Sequence, residues 1–225
     1  MLDFPLPLIY GFMATTALAV WLGWRAWRYG RVFLFLSLGW LLITALLAGQ
    51  GLFLNTAAFP PRIFLAIGSP LLLIFYLFST SAGRNHLAKL QQRDLVLIHT
   101  VRIPVELILF GLFQAGAIPE LMTFAGRNFD ILAGLSAPFV YYFAYVRKRL
   151  SDSWVGVWNL LCLGLLLNIV IHAILSAPLP FQQLAFDQPN VAVLHFPFIW
   201  LPALVVPLVL FAHLHALLIP SPNSD

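Results

Sequence analysis

The chain has 225 residues, of which 61% belong to the apolar set and only 9% are charged, against about 25% charged in an ordinary soluble domain. So few charges cannot cover a water-facing surface, and a mean hydropathy of +0.93 fits a protein whose outside meets lipid. The single cysteine, Cys162, excludes an intramolecular disulfide, and the net charge of +4 calls for no nucleic-acid partner because asymmetric loops facing anionic lipid account for it.

Seven apolar segments follow one another, at about 6–24, 32–54, 62–80, 95–115, 131–146, 154–175 and 192–218. At about 20 residues per crossing they fill the chain and predict an all-α, polytopic membrane bundle of seven transmembrane helices, one domain over 1–225. The runs are continuous rather than alternating, which excludes a membrane β-barrel. The start, Met1-Leu2-Asp3-Phe4, lacks a basic region and no convincing small-residue cleavage site follows span one. Span one is therefore expected to be retained rather than removed as a signal peptide.

Orientation follows from the basic residues of the connections. Arg25, Arg28 and Arg31 follow span one, Arg84, Lys89 and Arg93 follow span three, and Arg147, Lys148 and Arg149 follow span five. The opposite connections hold Arg62 and Arg127. This bias places the N-terminus outside and the C-terminus in the cytoplasm of a bacterial inner membrane.

Spans one to three are nearly free of ionisable groups, whereas span four carries His99, Arg102 and Glu106 along one helical face. Charges inside a span cost several kcal/mol unless paired or hydrated. The four-residue spacing of Arg102 and Glu106 predicts a pair within the helix, and about 1.5 Å of rise per residue puts Glu106 close to the bilayer midplane. Either the pair only locks span four in place, or Glu106 is a proton-accepting or substrate-binding carboxylate in a desolvated site. Pro104 removes the N–H that would bond the Thr100 carbonyl and is expected to bend the helix there.

Span five is short, so its helix is expected to begin with Asn128 as N-cap and Asp130 in the first turn. Span six carries Asn159, Asn168 and His172, with the last two sharing a face near the outer end. His195 near the outer end of span seven reaches a similar depth, and the connections add Glu120, Asn128 and Asp130 or Gln182, Gln183, Asp187 and Asn190 to this outer polar layer. His99, His213 and His215 form an inner layer. Histidine layers suggest a haem clamp, but His195 and His213 are separated by about 27 Å of helix. Metal coordination would rest on His172 and His195 with a carboxylate, and only two ligands converge by spacing. Prolines 197, 202 and 207 deprive the carbonyls of Val193, Phe198 and Ala203 of their helical partners, so span seven is expected to be kinked or broken. The seven tryptophans mostly fall near span ends and read as interfacial anchors.

The stretch Arg102-Ile103-Pro104-Val105-Glu106, the run Met122-Thr123-Phe124-Ala125-Gly126-Arg127-Asn128-Phe129-Asp130-Ile131 and the later Phe186-Asp187-Gln188-Pro189-Asn190 resemble uncharacterised multi-pass proteins of bacterial inner membranes. The resemblance covers roughly the C-terminal half and implies no activity. A rhodopsin is disfavoured because the only lysines, Lys89 and Lys148, lie in connections. A seven-span hydrolase would need HxxxH where this chain has His213-Leu214-His215.

Three readings stay open. The leading one is an outward-facing polar pocket of spans four to seven that binds or transports a small solute, with or without proton coupling, with Glu106, Arg102, Asn168, His172, His195, Asp130 and Asn128 as its residues. The second is an intramembrane metal or haem enzyme using His172 and His195. The third is an assembly or scaffold subunit whose polar residues glue helices together.

Overall fold

In a computed structural model the protein is all-helical, and no strand occurs among the described residues, 4–219. Helix α1 runs Leu6–Ala26, α2 Arg31–Gly49 and α3 Ile63–Ser79, with α3 followed across a 93° bend by the short α4, Ser81–Leu87. Next come α5, Gln92–Ile98, a 3-10 turn over His99–Val101, and α6, Arg102–Gln114. The order closes with α7, Ile131–Tyr141, α8, Asp152–Ser176, and α9, Val206–Leu218.

Five stretches are long and apolar enough to cross a membrane: α1, α2, Gln92–Gln114, α8 and Leu201–Leu218. Counting the bent α3–α4 pair as one span raises this to six, and the apolar helix Ile131–Val146 is shorter. Helices occupy the expected segments 154–175 and 131–146, as Asp152–Ser176, which is long and apolar enough to cross, and Ile131–Val146, which is shorter and continues α7 through a π-helical turn, Tyr142–Val146.

The segment 192–218, expected as a kinked or broken span seven, is helical over less of its length. A 3-10 turn at Ala192–Leu194 stands apart from the helix, and the helical stretch begins only at Leu201, as a π-turn Leu201–Val205 that leads into α9. The prolines are the physical cause, since each deletes a helical donor. The carbonyl of Ala203, orphaned by Pro207, is bonded by the Trp40 indole N–H of α2 at 3.0 Å, and Trp200 returns the contact by donating to the Leu41 carbonyl at 3.0 Å. Unpaired backbone groups need such replacement partners in an apolar setting. Trp40 and Trp200 therefore join α2 to the broken helix rather than serving as surface anchors. In span four, the 3-10 turn at His99–Val101 falls one turn before Pro104, where the bend was expected.

The stretch Gln92–Gln114 is the centre of the molecule. In its most apolar part 61% of residues are buried, against 17% in α2 and in α8. The main core joins Phe12, Ala19 and Leu22 of α1 with Ile98, Val105 and Leu109 of the central helix, Leu166 of α8, and Leu208 and Val209 of α9. A second core ties Phe53, Ile63 and Ala66 to Leu179, Val193, Ile199 and Ala203. Helix α7 lies close against the central helix at Gly134, where a β-carbon would stand 2.9 Å from Ile103 Cγ1 and 3.1 Å from the Ile103 nitrogen. A larger residue there would force its neighbours to shift, and the contact lies one turn after Asp130, which faces Arg102.

Candidate functional site

Four side chains meet between the central helix and the start of α7. Glu106 is 1% exposed, Arg102 2%, Asp130 5% and Asn128 0%. Arg102 Nε lies 3.0 Å from Asp130 Oδ2, and Nη2 donates to the Cys162 carbonyl of α8 at 3.3 Å. The expected pair of Arg102 with Glu106 does not form. The guanidinium turns to Asp130 because Gly134 brings α7 against its own turn of helix, and a contact between helices competes successfully with the intrahelical one. Glu106 instead accepts the Asn128 Nδ2–H at Oε1, 2.6 Å away.

The loop before α7 builds Asn128 into place. Thr123 donates its hydroxyl to the Glu120 carbonyl, the N–H groups of Gly126 and Asn128 both donate to the Thr123 carbonyl, and the second Asn128 Nδ2 contact is the Met122 carbonyl at 3.1 Å. Asn128 Oδ1 accepts the Asp130 N–H at 3.0 Å. This is a turn that the Asn128 side chain closes on the N–H two residues later rather than the expected helix cap: α7 begins at Ile131, Asp130 and not Asn128 stands at its N-cap, and no side chain caps it. One amide therefore closes the turn, clips the loop and holds the carboxyl of Glu106.

Four atoms of this cluster have no hydrogen-bond partner among the described residues: Glu106 Oε2, Asp130 Oδ1, Arg102 Nη1 and Arg102 Nε, the last of which faces Asp130 Oδ2 only as an ion pair. The cluster contains two carboxyls and one guanidinium. It is electrically neutral when one carboxyl carries a proton, and Asp130 is the one that faces the cation.

A second polar group lies one turn toward the other end of the same helices. His213 donates Nδ1–H to Asn159 Oδ1 at 2.9 Å, Asn159 donates to the Val155 carbonyl, and the His99 and His213 rings stack with centroids 4.0 Å apart. Trp158 packs its edge on His99 and donates to Ser136 Oγ at 2.9 Å. His99, Arg102 and Glu106 occupy successive turns of the central helix, about 10 Å from end to end. Asn159 and Cys162 are likewise one turn apart on α8. The two groups thus form one buried polar column between the central helix, α7, α8 and α9. His215 stands aside, bonding the Leu87 carbonyl through Nε2 at 3.0 Å.

The other expected site residues make their bonds elsewhere. Asn168 donates to the Arg127 carbonyl, His172 is tied through Nδ1 to the Asn168 carbonyl, and His195 through Nδ1 to the Val191 carbonyl. The structure brings together Glu106, Arg102, Asp130 and Asn128 and leaves Asn168, His172 and His195 outside that cluster. Among the described residues no three His, Cys, Asp or Glu side chains gather as metal ligands. The stacked His99 and His213 rings are in direct contact, which leaves no space for a porphyrin between them.

Sequence reasoning missed the Arg102–Asp130 pair, the Asn159–His213 bond and the His99–His213 stack. A signal for the first was present: Arg102 is the only cation inside a span, and Asp130 stands at the first turn of the next one. The other two are contacts across the fold with no trace in local spacing.

Fold and site together define an all-helical protein with several helices long and apolar enough to cross a membrane and a charged cluster enclosed among them. Residues 59–219 match the model of a family described as a domain of unknown function (DUF8737), and the chain belongs to that family. The match contains the whole polar column. No curated protein and no solved structure matches the chain.

Proposed function

We infer that this is a seven-span protein of the bacterial inner membrane, N-terminus outside and C-terminus cytoplasmic, whose spans four to seven bind or move a small solute in step with protons. Seven spans require α3 and Ile131–Val146 to cross, at 17 and 16 residues. Such lengths, roughly 24–26 Å of helix, need local thinning of a core about 30 Å thick. The alternation of sides is supported by contacts between ends that must then lie together. Arg25 at the end of α1 pairs with Asp94 at the start of α5 at 2.8 Å, and Gln188 of the last connection donates to the Phe113 and Ile118 carbonyls at the opposite end of the central helix.

The observation that carries the proton part is the charge balance of the cluster. With Asp130 against Arg102, a proton on Glu106 makes the enclosed group neutral, and its loss leaves a net negative charge beside an unpartnered Oε2. Uncompensated buried charge is costly, so proton uptake and any solute that brings charge or hydrogen bonds to Oε2, Asp130 Oδ1 and Arg102 Nη1 are coupled. Glu106 is the proton-binding group, and Arg102, Asp130 and Asn128 hold it in place. The histidines and Asn159 extend the column toward the cytoplasmic end, while Asn168, His172 and His195 lie near its outer entrance.

The test uses the proton as probe. Acid-minus-alkaline infrared difference spectra of the protein in nanodiscs are expected to show a carboxyl band that Glu106→Gln removes. Vesicles carrying the wild-type protein are expected to collapse an imposed pH difference faster than vesicles carrying the variant. A folded variant that matches the wild type in both measurements overturns the reading.

A further inference from the structure

One turn beyond Glu106, on the same face of the central helix, lies a cavity of about 290 Å³ that no residue of the polar column lines. Its wall includes Ile67 and Leu71 of α3, Leu109 of α6, Val170 of α8 and Leu210 of α9, and Pro202 and Pro207 of the broken span also line it. Pro202 and Pro207 flank the π-turn Leu201–Val205, so an irregular stretch of the last segment forms part of the wall. The rim residues Phe64 and Leu167, 44% and 47% exposed, belong to surfaces of α3 and α8 that face outward from the bundle. The cavity therefore communicates with the apolar medium beside the helices.

Among the described residues its one polar lining side chain is that of Asn190, 1% exposed. The residue is held firmly, since its backbone N–H donates to the Ser176 carbonyl at 2.8 Å and its Nδ2 to the Ala173 carbonyl at 3.2 Å. These bonds fix the amide plane and leave Oδ1 without a partner among the described residues. A buried acceptor left unpaired costs about 1–3 kcal/mol, and a donor brought to it recovers that cost.

We propose that this cavity is a binding site for a single-chain apolar alcohol taken from the bilayer, its hydroxyl donating to Asn190 Oδ1 and its chain lying between α3, α6, α8 and α9. The chemistry is narrow. The lining offers one acceptor and no charged side chain, so a phosphate, a zwitterionic headgroup or a sugar would be left unpaired there. The volume sits at the low end of the roughly 300–1,000 Å³ of small-molecule sites, which suits one chain rather than a two-chain phospholipid. Linear and isoprenoid alcohols share this chemistry.

The experiment is photolabelling of the full chain in nanodiscs with a linear alkanol carrying a diazirine at its chain end, alongside the same probe as its methyl ether. The alkanol is expected to label the cavity wall about tenfold more than the ether. Competition by dodecanol but not farnesol identifies a linear chain, the reverse an isoprenoid one, and either supports the site. Asn190→Leu is expected to abolish the preference for the alkanol. Val170→Trp, which fills the cavity without touching Asn190, is expected to abolish labelling of the wall while size-exclusion profile and Tm stay near wild type. Equal labelling by alkanol and ether, equal competition by dodecane, or wall labelling unchanged in Val170→Trp overturns the proposal.

Discussion

Two enclosed regions share the central helix and differ in nearly everything else. At one level Arg102 and Glu106 face Asp130 and Asn128 and draw polar atoms together. One turn further along the same face, Leu109 looks into a cavity whose lining among the described residues is apolar apart from the amide of Asn190. Met122 touches both, accepting Asn128 Nδ2 at its carbonyl and lining the cavity as well. The polar region is made by close approach, with glycine at the contact and the charges drawn together because no water competes for them. The apolar region is an unfilled hollow bounded in part by the irregular π-turn of the last segment, with Pro202 and Pro207 in its wall. Perturbing the first should therefore cost stability, whereas filling the second should not.

The largest effect is expected from Arg102→Met. It leaves Asp130 facing no cation, and removing one partner of a buried pair costs about 3–5 kcal/mol. Equilibrium unfolding in bicelles measures it, and the double variant Arg102→Met with Asp130→Leu is expected to regain most of the loss. A double variant as unstable as the single one would mean that the pair is not the source of the cost. Gly134→Ala comes next, at about 1–3 kcal/mol for overpacking, because its new methyl meets Ile103. The same variant should weaken the Arg102–Asp130 contact, so its loss is expected to combine non-additively with that of Asp130→Leu.

How much of this was legible beforehand depends on the range of the interaction. Helices over segments 131–146 and 154–175 were readable because hydropathy and flanking charges are local, whereas the first of them starts later than expected: Asp130, not Asn128, stands at the N-cap, because the Asn128 amide is engaged by a turn and by Glu106. The proline positions announced that span seven would break, though not that its helix would start only at Leu201. Arg102 and Glu106 were recognisable as costly, but their partners depend on which helix packs at Gly134, and local spacing favours the wrong answer. Asn190 stood out only as one polar residue of an outer connection. The cavity beside it was invisible, because side chains that line an apolar hollow are of the same kind as those that face lipid.

Smaller effects sharpen the contrast between the regions. Trp40→Phe removes the donor that compensates Pro207 and leaves the Ala203 carbonyl to find another partner, for an expected loss of about 1 kcal/mol. It should also disturb the join between α2 and the last span without changing either enclosed region. Hydrogen exchange is expected to rise around Ala203 and remain unchanged around Asn128.

The smallest effect on stability is expected at the most buried carboxyl. Glu106→Gln keeps the shape of the side chain and keeps an oxygen to accept from Asn128 Nδ2, so a site that holds a neutral carboxylic acid should lose less than about 1 kcal/mol. A site that holds a carboxylate balanced against Arg102 should instead lose about 3–5 kcal/mol, as for any broken buried pair. The same substitution therefore separates two accounts of span four that share every contact. Near-neutral unfolding combined with loss of the carboxyl band places the proton on Glu106 and makes the cluster a device for binding it. A loss as large as that of Arg102→Met would make Glu106 part of the ionic lock, and the polar column would then be a structural clamp between helices.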